Sequence, residues 1–391
     1  MPTTQSTPTV EPFRIRDAIA LPEPSATVIA HAQRSDSYPV HVVGGMRELL
    51  ERLAATLDAE SVAVITDETV QELYGAQLVR GLRAAGIAPM VRTVPAGERS
   101  KSLGQAIALW GWLAGSDLAR RDAVLAFGGG VIADLGGWVA SGYMRGLPYV
   151  NVPTTLLAQV DGALGGKVAV NHPVAKNLLG AFHQPQAVVA NVGFLRTTPN
   201  RHLRAGIAEA IKKAIIASPD YLQFIEDHAE ALIARDDDAL MRLVVSAAAI
   251  KTELIERDPY EVDLRRPLNF GHTIGHPLET VTGYGPLLHG EAVAFGMVVE
   301  SRIAADRGLL DEDVFDRVVE LLRRCGLPTT GADLPARIDA DAILAAMEKV
   351  RLIRAGSLRF VLPTAPGETV IADDVTEEEV RAALHAAGIS D

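Results

Sequence analysis

Two histidines four residues apart in "LNFGHTIGHPLE", His272 and His276, and a third, His289, in "LLHGEAVAFGM" place three imidazoles within eighteen positions. On a helix a spacing of four puts both side chains on one face, which is how a helix presents paired nitrogens to a metal. The zinc-protease pattern H-E-x-x-H needs glutamate where this chain has Thr273, so that chemistry lacks its general base. A lone histidine is usually a satisfied core residue. Three of them beside glycine turns, with Glu209 available in "GIAEAIKKAI", read better as a metal site. The single cysteine, Cys325, excludes a thiolate-rich site and an intrachain disulfide, so the ligands must be histidine and carboxylate. Glu209 and Lys212, three apart, share one side of a helix and by themselves read as an ordinary surface ion pair.

A second group of residues points to an anionic ligand. Residues 152–185, "VPTTLLAQVDGALGGKVAVNHPVAKNLLGAFHQP", set Thr154, Thr155, Asp161, Lys167, Asn171, Lys176 and Asn177 among glycines and apolar residues. A surface loop would carry fewer apolar residues, and a core would not take two lysines unless they were paired or faced a ligand. Lys251, Arg265 and Asn269 lead into the histidine segment. Gly128, Gly129 and Gly130 end an apolar strand and open a helix, where a backbone can approach a pyrophosphate, although the pattern is not G-x-G-x-x-G and also suits a plain turn. Asp67 closes another strand, as a ribose acceptor or as a helix N-cap. With a formal net charge of -12 the chain is no general binder of nucleic acid, so an anionic ligand must meet a local basic cluster.

The elements that would position these groups fall into three stretches of the 391 residues. Residues 1–37 are rich in Pro, Thr and Ser and lack periodicity, which predicts a loosely held extension. From 38 to 198, continuous apolar β-branched runs such as "SVAVITD" and "DAVLAFGGG" alternate with amphipathic helical patterns, predicting a doubly wound parallel sheet covered on both faces. From 199 to 391 the pattern is mainly helical, with few strand-like runs before "LRFVLPT". The apolar fraction of 48% suits an enzyme, and no leader or apolar run of spanning length is evident, so a cytoplasmic protein is expected.

Taken in order, "FGGGVIADLGG", "YMRGL", the 152–185 stretch, "GIAEAIKKA", "LNFGHTIGHPLE" and "LHGEAVAFGM" resemble the motifs of 3-dehydroquinate synthase and related sugar-phosphate cyclases, over roughly residues 38–385. The resemblance implies an N-terminal NAD-binding α/β domain and a helical metal- and substrate-binding domain. It implies zinc, with cobalt as a substitute, on Glu209, His272 and His289, and His276 beside the metal. NAD would lie on Asp67, Glu98, Lys101, Gly129, Gly130, Val131, Asp134, Thr154, Thr155, Asp161, Lys176 and Thr197. Lys167, Asn177, Lys251, Arg265, Asn269 and His276 would bind substrate, with Lys212, His276, Asp161, Lys167 and Asn269 acting in catalysis. Arg145 would reach the phosphate bound by the neighbouring subunit of a homodimer. In such enzymes NAD takes hydride from a substrate hydroxyl and the new ketone acidifies the adjacent C–H, so that phosphate leaves. The hydride then returns, the ring opens and an intramolecular aldol closes a carbocycle.

Within that family the substrate either carries a carboxylate, as the precursor of 3-dehydroquinate does, or lacks one, as sedoheptulose 7-phosphate does. Lys251 and Arg265 stand where a carboxylate would be gripped, and an arginine fork suits a planar partner, which favours 3-dehydroquinate synthase and the shikimate pathway. Against this stand "MEKVRLIRAGS", which lacks an expected Asp-Lys-Lys and offers Arg351, and Pro267 and Pro277, where small apolar residues are expected. These keep a sedoheptulose 7-phosphate cyclase of the 2-epi-valiolone synthase type as the alternative. An NAD- and metal-dependent alcohol or glycerol dehydrogenase would share the architecture but leave the lysines and asparagines of 167–177 without a task.

Overall fold

The computed structural model describes residues 37–173, 175–260, 266–283, 285–353 and 358–391. Six parallel strands form one sheet in the order β1 (Val40–Val43), β8 (Ala187–Asn191), β5 (Tyr149–Pro153), β4 (Ala123–Gly128), β2 (Ser61–Asp67), β3 (Ala88–Val94). Its central strands are buried along nearly their whole length, as a sheet covered on both faces requires. Alternation along β2 shows the two layers. Val62 and Val64 pack with Leu49 and Leu78 on helices Met46–Thr56 and Ala76–Ala84, whereas Ala63 and Ile65 pack with Leu109 and Leu135 on helices Leu103–Ala114 and Gly130–Gly142.

Adjacent strands β2 and β4 connect in opposite directions, β2 outward to β3 and β4 back to β5. A ligand crevice is expected outside the carboxyl ends of two such strands. Those ends are Asp67 and the glycines that follow Phe127. Between β5 and β8 the chain makes a π-helical turn, Ala158–Gly162, and an antiparallel hairpin, β6 (Lys167–His172) and β7 (Ala175–Phe182).

The C-terminal part is mainly helical, closed by a small antiparallel pair, β9 (Phe360–Ala365) and β10 (Glu368–Ala372). Helix Asn200–Ala217 is buried on nearly all sides and shares a core with the α/β part, in which Ile207 and Ile211 meet Leu156, Val160 and Ala190. Helix His289–Asp306 packs against it and against helix His272–Val281 so closely that two glycines of "HGEAVAFGM" are obligatory. A Cβ on Gly290 would lie 1.9 Å from the Ala205 carbonyl oxygen, and one on Gly296 would lie 1.9 Å from that of Gly271. Among the described residues no helix is long and apolar enough to cross a membrane.

Candidate functional site

Three helices bring the metal candidates together. Nitrogens of His272, His276 and His289 all lie within 4.8 Å of one another. Oε1 of Glu209 is 3.7 Å from Nε2 of His272 and 3.7 Å from Nε2 of His289. That oxygen is buried and has no hydrogen-bond donor among the described residues. Leaving a carboxylate oxygen dry and unpartnered is costly unless a cation completes it, and two imidazoles facing the same point supply the remaining ligands. The tautomers agree with this. Nδ1 of His272 lies 3.1 Å from the Phe270 carbonyl and Nδ1 of His289 lies 2.9 Å from Oε2 of Glu279; both partners accept, so each Nδ1 carries the proton and each Nε2 offers a lone pair. Burial, then the positive charge of Lys212, holds His272 well below its usual range. Burial also works against a charged His289, yet the hydrogen bond from its ring to Glu279 raises it. The residues present therefore fit a divalent metal with open positions.

Beside this point lies a buried cationic cluster. Lys212 Nζ is 2.6 Å from Oε2 of Glu209, and Lys213, one residue on, donates to Oδ1 of Asp161 at 2.6 Å. Lys251 Nζ is 3.0 Å from the same Oδ1 and donates to the Asp161 backbone carbonyl at 2.7 Å. Three lysines thus face two carboxylates, a local positive excess inside an acidic chain. Burial alone would raise Asp161, but Lys213 and then Lys251 hold it well below its usual range. Burial pushes Lys251 down to about 7 and lowers Lys212 as well. The pairing of Glu209 with Lys212 is therefore a core feature and not the surface ion pair that its spacing suggests when taken alone.

The nucleotide candidates line the carboxyl ends of the strands. Asp67 caps the turn after β2, its Oδ1 accepting from Val70 N at 3.0 Å. Gly129, Gly130 and Val131 start the helix after β4, where a Cβ on Gly129 would come within 3.1 Å of Thr155, which follows Thr154 at the end of β5. Lys101, just past the turn Glu98–Ser100, pairs with Asp134 one turn into that helix and also donates to Asn177 Oδ1. Glu98 Oε1 accepts from Asn171 Nδ2 at 2.8 Å and lies 3.7 Å from Lys176 Nζ. Thr197 Oγ1 is 2.6 Å from the Tyr74 hydroxyl.

Lys167 opens β6, close enough to Lys251 for its charge to disfavour protonation there, and half-buried Asn269 ends the turn Arg266–Asn269 just before Gly271. Arg145 is not brought to the site. It is exposed at the far end of helix Gly130–Gly142, about 20 Å from the glycine turn by the helical rise. Arg265 lies outside the described residues, as do residues 354–357 of the altered "MEKVRLIRAGS" segment.

Three contributors escape the sequence reading. Lys213 follows Glu209 at i+4, and Glu279 follows His272 at i+7, spacings that put each on the functional face of its helix. Fully buried Glu300 accepts from Gly271 N at 2.8 Å and Thr273 N at 3.1 Å, anchoring the helix that carries the histidines. An acid inside the apolar run "FGMVVES" was its signal.

Comparison with known proteins identifies the family. Residues 91–205 match the 3-dehydroquinate synthase N-terminal family and residues 206–351 the 3-dehydroquinate synthase C-terminal family. A 2-epi-valiolone synthase of Actinosynnema mirum is 54% identical over 372 residues, covering 95% of this chain and 97% of its own. A 3-dehydroquinate synthase of Symbiobacterium thermophilum is 42% identical over 354 residues, covering 90% and 98%. The structure of the 2-epi-5-epi-valiolone synthase of Streptomyces hygroscopicus subsp. jinggangensis 5008, solved with NAD+ and Zn2+ bound, superposes with a TM-score of 0.84 at 32% identity, covering 92% of this chain and 99% of that one. Matched by family models over residues 91–351 and by relatives over nearly its whole length, this chain belongs to the 3-dehydroquinate synthase family of sugar-phosphate cyclases.

Proposed function

We propose that the protein cyclises sedoheptulose 7-phosphate, as a 2-epi-valiolone synthase, with NAD and a divalent metal, zinc or cobalt, as cofactors. The carrying observation is the gap between 54% identity to a 2-epi-valiolone synthase and 42% to a 3-dehydroquinate synthase over nearly the same length. It displaces the carboxylated substrate that Lys251 and Arg265 favour in the sequence. Lys251 adds support: it donates to the Asp161 backbone carbonyl at 2.7 Å and lies 3.0 Å from that residue's carboxylate, so much of its donor capacity is already engaged within the protein.

In this reading Glu209, His272 and His289 hold the metal, and the crevice between β2 and β4 takes the dinucleotide on the residues from Asp67 to Thr197 named above. When bound, the two cofactors supply reversible oxidation and polarisation of the substrate oxygens. Lys212, 2.6 Å from Glu209, stabilises negative charge on a substrate oxygen, and Lys167, Asn177 and His276 receive the phosphate. Lys251 Nζ, near neutrality, can hold or release a proton while Lys213 keeps Asp161 in place. Residues 38–198 act as the NAD-binding domain and residues 199–391 as the metal- and substrate-binding domain, and Arg145 serves the site of a second copy in a homodimer.

The test is to incubate pure protein, with metal and trace NAD, separately with sedoheptulose 7-phosphate and with 3-deoxy-arabino-heptulosonate 7-phosphate. One phosphate per cyclised sedoheptulose and many turnovers per NAD are expected. Cyclisation of the carboxylated sugar alone would restore the 3-dehydroquinate reading, and stoichiometric NADH would point to a dehydrogenase.

A further inference from the structure

We propose that Glu279 is a positioning residue of the metal site: its carboxylate orients the His289 imidazole toward Glu209, and Lys176 of the β6–β7 hairpin holds that carboxylate. The inference rests on the reading that Glu209, His272 and His289 bind the metal. Glu279 is 3% exposed, and its two oxygens have separate partners. Oε2 accepts from His289 Nδ1 at 2.9 Å, and Oε1 lies 3.2 Å from Lys176 Nζ, a residue 103 positions away in the chain. The proton on Nδ1 leaves Nε2 as the lone-pair nitrogen, 3.7 Å from Glu209 Oε1.

The two metal-facing histidines are braced differently. His272 donates to a backbone carbonyl, whereas His289 donates to a carboxylate, which also raises the basicity of the ring. Lys176 faces the other oxygen of Glu279 at 3.2 Å, so the carboxylate that receives the His289 N–H is itself paired with a cation. His289 is the first residue of its helix, where no preceding turn packs against the ring, so an outside group must set its angle. The brace also spans the fold, because Lys176 stands on the hairpin of the α/β part and reaches Glu98 at 3.7 Å with the same ammonium.

The test uses full-length zinc-loaded protein and measures zinc transfer to a competing chelator, the visible spectrum after cobalt substitution, and the melting temperature. Glu279→Ala is expected to bind zinc about 10- to 100-fold more weakly and to change the cobalt spectrum. Glu279→Gln retains an acceptor for Nδ1–H but loses the charge facing Lys176, so it should fall between Ala and the parent. Lys176→Met should weaken zinc by a few fold. Wild-type zinc affinity and an unchanged cobalt spectrum in Glu279→Ala would overturn the proposal. Should that variant not fold, the same result in both Glu279→Gln and Lys176→Met overturns it. His289→Ala separates the two levels of inference, since retention of zinc in that variant would sink the ligand reading itself.

Discussion

Replacing Gly296 by alanine tests whether the helix packing sets the metal site. The new Cβ would lie 1.9 Å from the Gly271 carbonyl oxygen and 2.8 Å from its carbon. Nonbonded carbon and oxygen do not approach closer than about 3 Å, so the two backbones must separate by roughly 1 Å. Gly271 directly precedes His272 and takes its left-handed conformation, at φ +77, under the backbone of Val293, while Gly296 rides on the helix that begins with His289. The separation therefore falls between two histidines that must both face Glu209 Oε1. Metal–ligand distances tolerate about 0.2 Å, and a 1 Å misplacement of reacting groups costs about a hundredfold in rate. Gly296→Ala is expected to lose about 1–3 kcal/mol of stability to overpacking and to bind zinc poorly. Its kcat/KM should fall by about a hundredfold, measured as phosphate released from the sugar phosphate. Gly111→Ala is the control. It sits inside a helix with nothing within 4 Å of the added methyl, and should gain roughly 0.5–1 kcal/mol with full activity. Normal zinc content and turnover in Gly296→Ala would refute the argument that this contact aligns the ligands.

Two further outcomes follow from single residues. Burial raises Glu300 to about 8 from an ordinary value of 4.5, so between those values the folded protein binds a proton that the unfolded chain has released; stability should fall as pH rises through that window, by up to about 1.4 kcal/mol per unit, and a flat wild-type profile matching that of Glu300→Gln would contradict this. On the proposed homodimer with a shared site, Arg145→Ala should lose activity alone but regain some when mixed with a His272→Ala chain, because a hybrid dimer would contain one complete site; no recovery after verified subunit exchange would argue against a shared site.

The sheet and the helical part were legible because burial on both faces leaves an uninterrupted apolar run that water-facing strands cannot show, as in "SVAVITD" and "DAVLAFGGG". The histidine cluster was legible for a related reason, since ligand type and helical spacing are both written in the chain. Glu300 and Lys213 were not. Whether an acid or a lysine is buried depends on what packs across from it, here Gly271 for one and Asp161 for the other, and neither partner lies on the same helix. Asp67 shows the opposite limit, for its spacing suits both a ribose acceptor and a cap, and the cap is formed.

The same distinction explains why the family was easier to read than the substrate. The candidate metal site is a matter of residue types, since Glu209, His272 and His289 are visible in the chain as potential ligands. In the proposed function, substrate choice would turn on how the cations around that site are already engaged. By type and position Lys251 reads as a carboxylate grip, yet in the fold its amine meets the Asp161 carboxylate at 3.0 Å and the backbone carbonyl at 2.7 Å. Lys213, adjacent to the Lys212 of the family motif, takes the other share of that carboxylate at 2.6 Å and also approaches Glu209 at 3.6 Å. A lysine so engaged has fewer donors left for a second carboxylate arriving with substrate, whereas a neutral hydroxymethyl ketone, the substrate proposed above, needs only one. On the proposed reading, the charge that the motif offers is already engaged by Asp161, and substrate choice would follow from two helices, Asn200–Ala217 with Lys213 and Asp237–Arg257 with Lys251, packing against the Asp161 turn.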